Sequence, residues 1–185
     1  LAADLENRPG VRSLFDRMFV VSRTGEVLAN IPELGLRGTN VREREYFQLT
    51  MKEAKPQISP PIMARSLQQP IIVLTAPILD RQGRIAGVLA GSLNLLRPNF
   101  LGKLGTASIG RTGNFALFGH DRTIIMSGER ERIMTQGPAP GVSRSFDHAI
   151  AGPSGWEEDI DRGARRVVFG YKQLRSMPWV LMAAL

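Results

Sequence analysis

The sequence predicts an α+β chain made of two tandem modules, each an antiparallel sheet with helices to one side. Three observations carry this. A short hairpin, an insertion of helical or loop character and a long hairpin follow one another in that order twice. The spacing between the two copies holds: Val20 and Ile71 recur as Ala116 and Val167, each 96 positions on. At 185 residues and 43% hydrophobic content, the chain can form two small modules and is too apolar for disorder. Repetition at such an interval marks two units of one plan rather than one enzyme fold.

Taken in order, Leu1–Asp16 reads as the end of a helix broken at Pro9-Gly10, with Leu14 and Phe15 turned inward. Met18–Ser22 and Val27–Asn30 form the first short hairpin, and Gly25 supplies the turn residue that tolerates positive φ. Asn40 with Glu43 three residues later fits an N-cap and its capping-box acid. Phe47, Met51 and Ala54 fall at i, i+4 and i+7, which predicts an amphipathic helix over Val41–Lys55. Gln57–Arg65, with two prolines, reads as a short edge strand. Pro70–Leu79, the turn Asp80–Gly83 and Arg84–Leu95 make the long hairpin, dense enough in aliphatic residues to be central strands.

Arg97–Ser108 reads as a connector with a helical turn at Phe100–Leu104. Asn114–Phe118 and Thr123–Ser127 form the second short hairpin. Glu129–Thr135 and Ser145–Ala151 are expected as short helices, with turns at Pro138–Gly141 and Gly152–Gly155. Trp156–Ile160, Arg166–Tyr171 and Trp179–Leu185 complete the second sheet.

Candidate chemistry is sparse. His120 lies in a hairpin turn and His148 in a short helix, and neither has a second histidine at i+3 or i+4 to share a metal. The sequence holds no cysteine, which removes disulfides, thiolate nucleophiles and zinc–thiolate sites. No phosphate-binding lysine follows Gly110-Arg111-Thr112-Gly113, and no nucleophile elbow occurs. The acids Glu157, Glu158, Asp159 and Asp161 read as a solvated edge. The net charge is +7, but the arginines are scattered and interrupted by acids, so a nucleic-acid tail is not indicated. No uncharged run reaches the roughly 18–20 residues of a membrane-spanning helix. The chain begins at Leu1 and is read as an excised fragment.

The informative segment is Thr39–Phe47, TNVREREYF. Arg44 stands next to Tyr46 and Phe47 at a helix start, and an arginine fork beside aromatics can hold a carboxylate. The competing reading pairs Arg42 and Arg44 with Glu43 and Glu45 at the surface, which contributes only about 0–1 kcal/mol.

TNVREREYF, then QISPPI, then QQPIIVLTAPILDRQGRIAGVLAGSLNL resemble the membrane-distal module of a double Cache domain. ASIGRTGNFALFGHDRTIIMSGERERIM, then GPSGW, then VVFGYKQLRSMPWVLMAAL are similar to the membrane-proximal module. The resemblance implies two PAS-like sheets hung on a long N-terminal helix, most of it missing here. Residues 1–17 would be the end of that helix, 18–97 the ligand-binding distal module and 98–185 the proximal module. It further implies a periplasmic, non-enzymatic sensor portion of a bacterial inner-membrane protein, anchored by flanking helices, dimeric when whole and without a cofactor. LFDRMFVVSRTGEVLANIP and HDRTIIMSGERERIM look most like sensors of membrane-bound diguanylate cyclases, with chemoreceptor and histidine kinase outputs as alternatives.

Amino-acid-binding members use an arginine and aromatics for the carboxylate and a tyrosine with two aspartates for the ammonium. Arg44 stands at the arginine position, Tyr46 where tryptophan is common and Phe47 where tyrosine is common. The amine cage is not matched: Ile62 and Ala64 stand for the tyrosine and the first aspartate, and Ser92 for the second. A buried ammonium without a carboxylate costs several kcal/mol. The expected ligand is therefore a small carboxylate other than a standard amino acid, with Arg65, Thr75 and Ser92 as further polar contacts. A cytoplasmic PAS-type cofactor module is the other reading; the lack of cysteine speaks against flavin photochemistry.

Overall fold

The computed structural model describes residues 10, 13–33, 35–65, 68–161, 163–175 and 177–185. The chain divides between Asn94 and Leu95 into two compact units. Most of the expected N-terminal helix end lies outside the described residues; of its two inward-turned residues, Phe15 packs on the core, whereas Leu14 is 51% exposed.

In the first unit, β1 (Arg17–Ser22) and β2 (Val27–Ile31) form the short hairpin. Helix α1 (Glu45–Glu53) follows, then the two-residue strands β3 (Gln57–Ile58) and β4 (Ile62–Met63). The long hairpin is β5 (Pro70–Leu79) and β6 (Ile85–Asn94). The sheet order is β2-β1-β6-β5-β3, with β4 also on β5. The antiparallel register sets Phe19 opposite Ala90 and Val21 opposite Val88, and Ala90 opposite Thr75. Opposed residues share a face, so one face carries Arg17, Phe19, Val21, Val73, Thr75, Val88, Ala90 and Ser92. Phe19, Val21, Val73, Val88 and Ala90 pack with Val27 and with Tyr46 and Phe47 of α1. The reverse face packs Met18, Val20 and Ile31 against Phe15, Ile78 and Leu89.

The helix starts four residues later than its sequence pattern predicts. The side chain of Asn40 accepts from the Arg42 amide (2.8 Å), but no helix begins there. Backbone bonds tie this segment to the hairpin, as Val27 donates to the Thr39 carbonyl (2.9 Å) and Val41 to that of Gly25 (2.8 Å), and a turn closed by the Arg44 amide on the Val41 carbonyl (2.9 Å) follows. Gly25 has φ +89°, and a Cβ there would meet Arg42 backbone at 2.7 Å, so glycine serves both the turn and the crossing. The helix also ends early, at Ala54 in the left-handed conformation.

In the second unit, α2 (Phe100–Thr106) is capped by Asn99, whose side chain accepts from the Leu101 and Gly102 amides. Then come β7 (Ser108–Ile109), β8 (Gly113–Gly119) and β9 (Ile124–Met126). The expected helix over Glu129–Thr135 is a single 3₁₀ turn at Arg130–Arg132. Helix α3 (Arg144–Ala151) and strands β10 (Gly155–Ile160), β11 (Arg166–Gln173) and β12 (Trp179–Ala184) complete the unit. The order is β10-β11-β12-β8-β7, with β9 on β8. In each unit the first strand of the short hairpin lies beside the last strand of the long one. Among the described residues the fold is thus two antiparallel sheets with three α-helices, a double PAS-like α+β architecture.

Candidate functional site

The helix-bearing face of the first sheet is not fully covered by α1. Beyond the helix N-terminus a cavity of about 250 Å³ opens. Its floor is the sheet: Arg17 and Phe19 from β1, Val27 from β2, Ile71 and Val73 from β5, Ser92 from β6. One wall is the segment crossing to the helix, with Leu36, Thr39, Asn40, Val41, Arg44 and Tyr46; the other is Ile62, Ala64 and Arg65 from β4 and the loop after it. A second cavity, of about 280 Å³, adjoins it and shares Arg44, Tyr46, Ile62 and Arg65, adding Glu43, Glu45, Ser59 and Pro60.

Each wall is held by local chemistry. Arg44 is the residue before the first helical turn, in extended backbone (φ −79°, ψ 130°), and no side chain caps that turn. The loop before it is tied by Asn40, whose amide donates to the Thr24 carbonyl (3.3 Å). On the other side, Ser59 receives the Val73 amide on its hydroxyl (2.9 Å), and β4 pairs Ile62 with Ile71.

Five of the seven sequence-predicted site residues line this cavity: Arg44, Tyr46, Ile62, Arg65 and Ser92. Phe47 and Thr75 lie elsewhere. Phe47 is in the core beneath α1, and Thr75, also under the helix, bonds the Thr50 hydroxyl. Alternation does point Thr75 to the cavity face, but α1 covers that part of the strand. Arg17, Phe19 and Asn40 also line the cavity, though none is among the site residues that the sequence predicts, Asn40 being expected only as a helix cap. Arg17 was placed at a helix end; its alternation with Phe19 and Val21 was the available signal.

The polar groups here are distinctive in what they lack. Among the described residues, the side chains of Arg44, Arg65, Tyr46 and Ser92 make no hydrogen bond or ion pair. The surface pairing of Arg42 and Arg44 with Glu43 and Glu45 does not form either. Tyr46 and Ser92 are buried, Ser92 to 5% exposure, while Arg44 is half-buried and Arg65 exposed. Burial pushes the Tyr46 phenol up, and the charges of Arg44 and Arg65 act against that. The phenol is therefore neutral and able to donate at neutral pH. The inner lining contains three arginines and no Asp or Glu.

In the second unit the corresponding ground, between α3 and β10, is filled. Glu157 accepts from the Tyr171 hydroxyl (3.1 Å) and pairs with His148 and, at 3.8 Å, Arg144. Asp159 accepts from the Ser145 hydroxyl (2.6 Å) and amide (3.2 Å). These contacts hold both carboxyls below their usual range, the His148 bond chiefly for Glu157 and the Ser145 hydroxyl for Asp159. The acidic run is therefore a solvated edge only in part: Glu158 is exposed, while Glu157 and Asp159 face the helix. His120 bonds the Gln173 side chain (2.6 Å). Among the described residues no group of acids, histidines or cysteines could hold a metal ion.

The sheet and its helix thus leave a basic cavity with an apolar floor, of a size and lining suited to a small ligand. The chain belongs to the Cache domain family, whose double form (dCache_1) matches residues 1–185. Cache domains are extracellular ligand-binding sensor domains of chemoreceptors and histidine kinases.

Solved structures share the fold. One is an extracellular ligand binding receptor from Desulfohalobium retbaense DSM5692, at 17% identity and a TM-score of 0.76. That match covers 99% of this chain and 32% of the receptor's, so this chain spans about a third of it. Another is the ligand binding domain of the Pseudomonas aeruginosa PAO1 amino acid chemoreceptor PctC in complex with GABA, at 15% identity and a TM-score of 0.70, covering 99% and 79%. The extracellular domain of the putative histidine kinase rpHK1S-Z16 matches at 16% identity and a TM-score of 0.72, covering 100% and 74%. At these identities the likeness is one of fold. No curated protein matches the sequence.

Proposed function

We propose that this chain is the extracytoplasmic input domain of a transmembrane signalling protein, and that the first-unit cavity binds a small carboxylate that is not a standard amino acid. The observation that carries this is the set of unpartnered groups, Arg44, Arg65, Tyr46 and Ser92, lining one cavity with no acid on its inner wall. A guanidinium fork matches a carboxylate, and the phenol and hydroxyl can donate to it. An α-ammonium would find no carboxylate partner there, which is the reason to set standard amino acids aside.

The distal module in this reading is residues 18–97, and 98–185 is a scaffold that passes a conformational change to a cytoplasmic output. The output is a diguanylate cyclase, a reading supported by the likeness of LFDRMFVVSRTGEVLANIP and HDRTIIMSGERERIM. The parent is a membrane-anchored homodimer in the periplasm, held by flanking helices.

The test is a thermal-shift screen of small carboxylates, amino acids, purines and amines against this chain and Arg44→Ala. At a hundredfold excess over Kd, a bound ligand stabilises by about 2.7 kcal/mol. A carboxylate should raise the melting temperature of the parent and not of the variant. Stabilisation by standard amino acids, or by carboxylates equally in both proteins, counts against the reading.

A further inference from the structure

The carboxylate reading leaves one charge unexplained. The inner lining has no Asp or Glu, yet both Arg44 and Arg65 reach it, and among the described residues neither has an acid partner. A single carboxylate on Arg44 would leave the Arg65 guanidinium, which lines the same cavity, with water alone as its partner. Resting on that reading, we propose that the ligand is a short dicarboxylate, with one carboxylate on Arg44 and the other on Arg65.

The two arginines come from separate elements, Arg44 from the start of α1 and Arg65 from the loop after β4. Both charges nevertheless act on the same phenol, that of Tyr46, so they converge on one volume. Two guanidiniums carried by separate elements and lining one cavity suit a dianion whose two carboxylates are joined by a carbon chain. A phosphate, with its charge on one group, would satisfy one guanidinium better than two. The floor between the walls is apolar, with Phe19, Ile71 and Val73, and fits a few methylenes. The cavity, at about 250 Å³, lies below the roughly 300–1,000 Å³ of sites for drug-sized ligands, which limits the chain to a few carbons. Glu43 and Glu45 line only the adjoining outer cavity, where they disfavour a third negative group.

The experiment is calorimetric titration of the 185-residue chain with butyrate, succinate, glutarate and inorganic phosphate, repeated on Arg65→Gln and Arg44→Gln. Circular dichroism of each variant checks that it is folded; Arg65 is exposed, so its replacement disturbs no core. Succinate or glutarate should bind at least about tenfold more tightly than butyrate, a difference of about 1.4 kcal/mol. In Arg65→Gln that advantage should fall below about twofold, and Arg44→Gln should weaken every carboxylate. Butyrate binding as tightly as the dicarboxylates, or an undiminished dicarboxylate preference in Arg65→Gln, overturns the dicarboxylate while the carboxylate reading stands. Phosphate binding more tightly than either dicarboxylate also overturns it. No binding by any carboxylate to the folded parent overturns both.

Discussion

Thr75 and Ser92 show how one register assigns neighbouring strands different work. Ser92 lies opposite Arg17 and Val73, at the open end of the face, and lines the cavity. Thr75 lies on the same face beneath α1, where the Thr50 hydroxyl donates to the Tyr46 carbonyl (2.7 Å) and in turn accepts from Thr75. This buried pair ties α1 to β5 beneath the helix, away from the cavity lining. Thr75→Val should lower unfolding stability by about 1 kcal/mol in urea titration, the net loss of one buried hydrogen bond. Ligand affinity should change less than about twofold, since Thr75 does not touch the cavity. Phe47→Ala, by contrast, removes a core ring and should cost about 3–5 kcal/mol, so binding lost in that variant would report unfolding. An affinity loss of tenfold or more in a folded Thr75→Val would return that residue to the site.

At the scale of elements, the hairpins were legible in the sequence and the helix start was not. The long hairpin was expected as Pro70–Leu79 and Arg84–Leu95 and forms as Pro70–Leu79 and Ile85–Asn94, because aliphatic runs and a polar Gly turn are local signals. Asn40–Glu43 carries the local signature of a helix cap, but bonds of Thr39 and Val41 to Val27 and Gly25 of the first hairpin tie the segment there, and a separate turn, closed by the Arg44 amide on the Val41 carbonyl, precedes the helix. Arg44 and Tyr46 could be read from type and neighbours, and Arg65 only through the family resemblance. The floor could not, because it depends on the pairing of β1 with β6 and of β6 with β5, across more than one hairpin. Helix α3 shows a further non-local effect, since the inner acids of β10 and the Arg122–Asp147 pair (2.6 Å) hold it in place. The Arg122 bond holds the Asp147 carboxyl below its usual range, as the Ser145 hydroxyl does for Asp159. Depressed carboxylates stabilise the fold above the unfolded value of roughly 4, and that contribution is lost as pH falls through their folded values. Melting temperature should therefore drop on acidification below about pH 4, with a shallower drop in Asp147→Asn and Asp159→Asn. An unchanged acid slope in both variants would show that other groups set the acid limit.

For the whole molecule, the repeat raises the question of whether a ligand held in one unit is felt in the other. The sequence provides its own probe: both tryptophans, Trp156 and Trp179, belong to the second unit, and the proposed ligand site belongs to the first. Trp179 is buried in the core and Trp156 is 70% exposed, so emission excited at the red edge of the spectrum follows packing in the second unit alone. A ligand shifts an equilibrium only by its differential affinity for the two states. If the first unit binds and the second merely follows in sequence, ligand should raise the midpoint seen by far-UV circular dichroism and leave the tryptophan midpoint in place. A sensor requires a coupling free energy between the two, typically about 1–3 kcal/mol. We expect the tryptophan-monitored midpoint to rise with a bound carboxylate and the rise to vanish in Arg44→Ala. A tryptophan midpoint indifferent to saturating ligand would mean that binding in the first unit is not felt in the second within this chain.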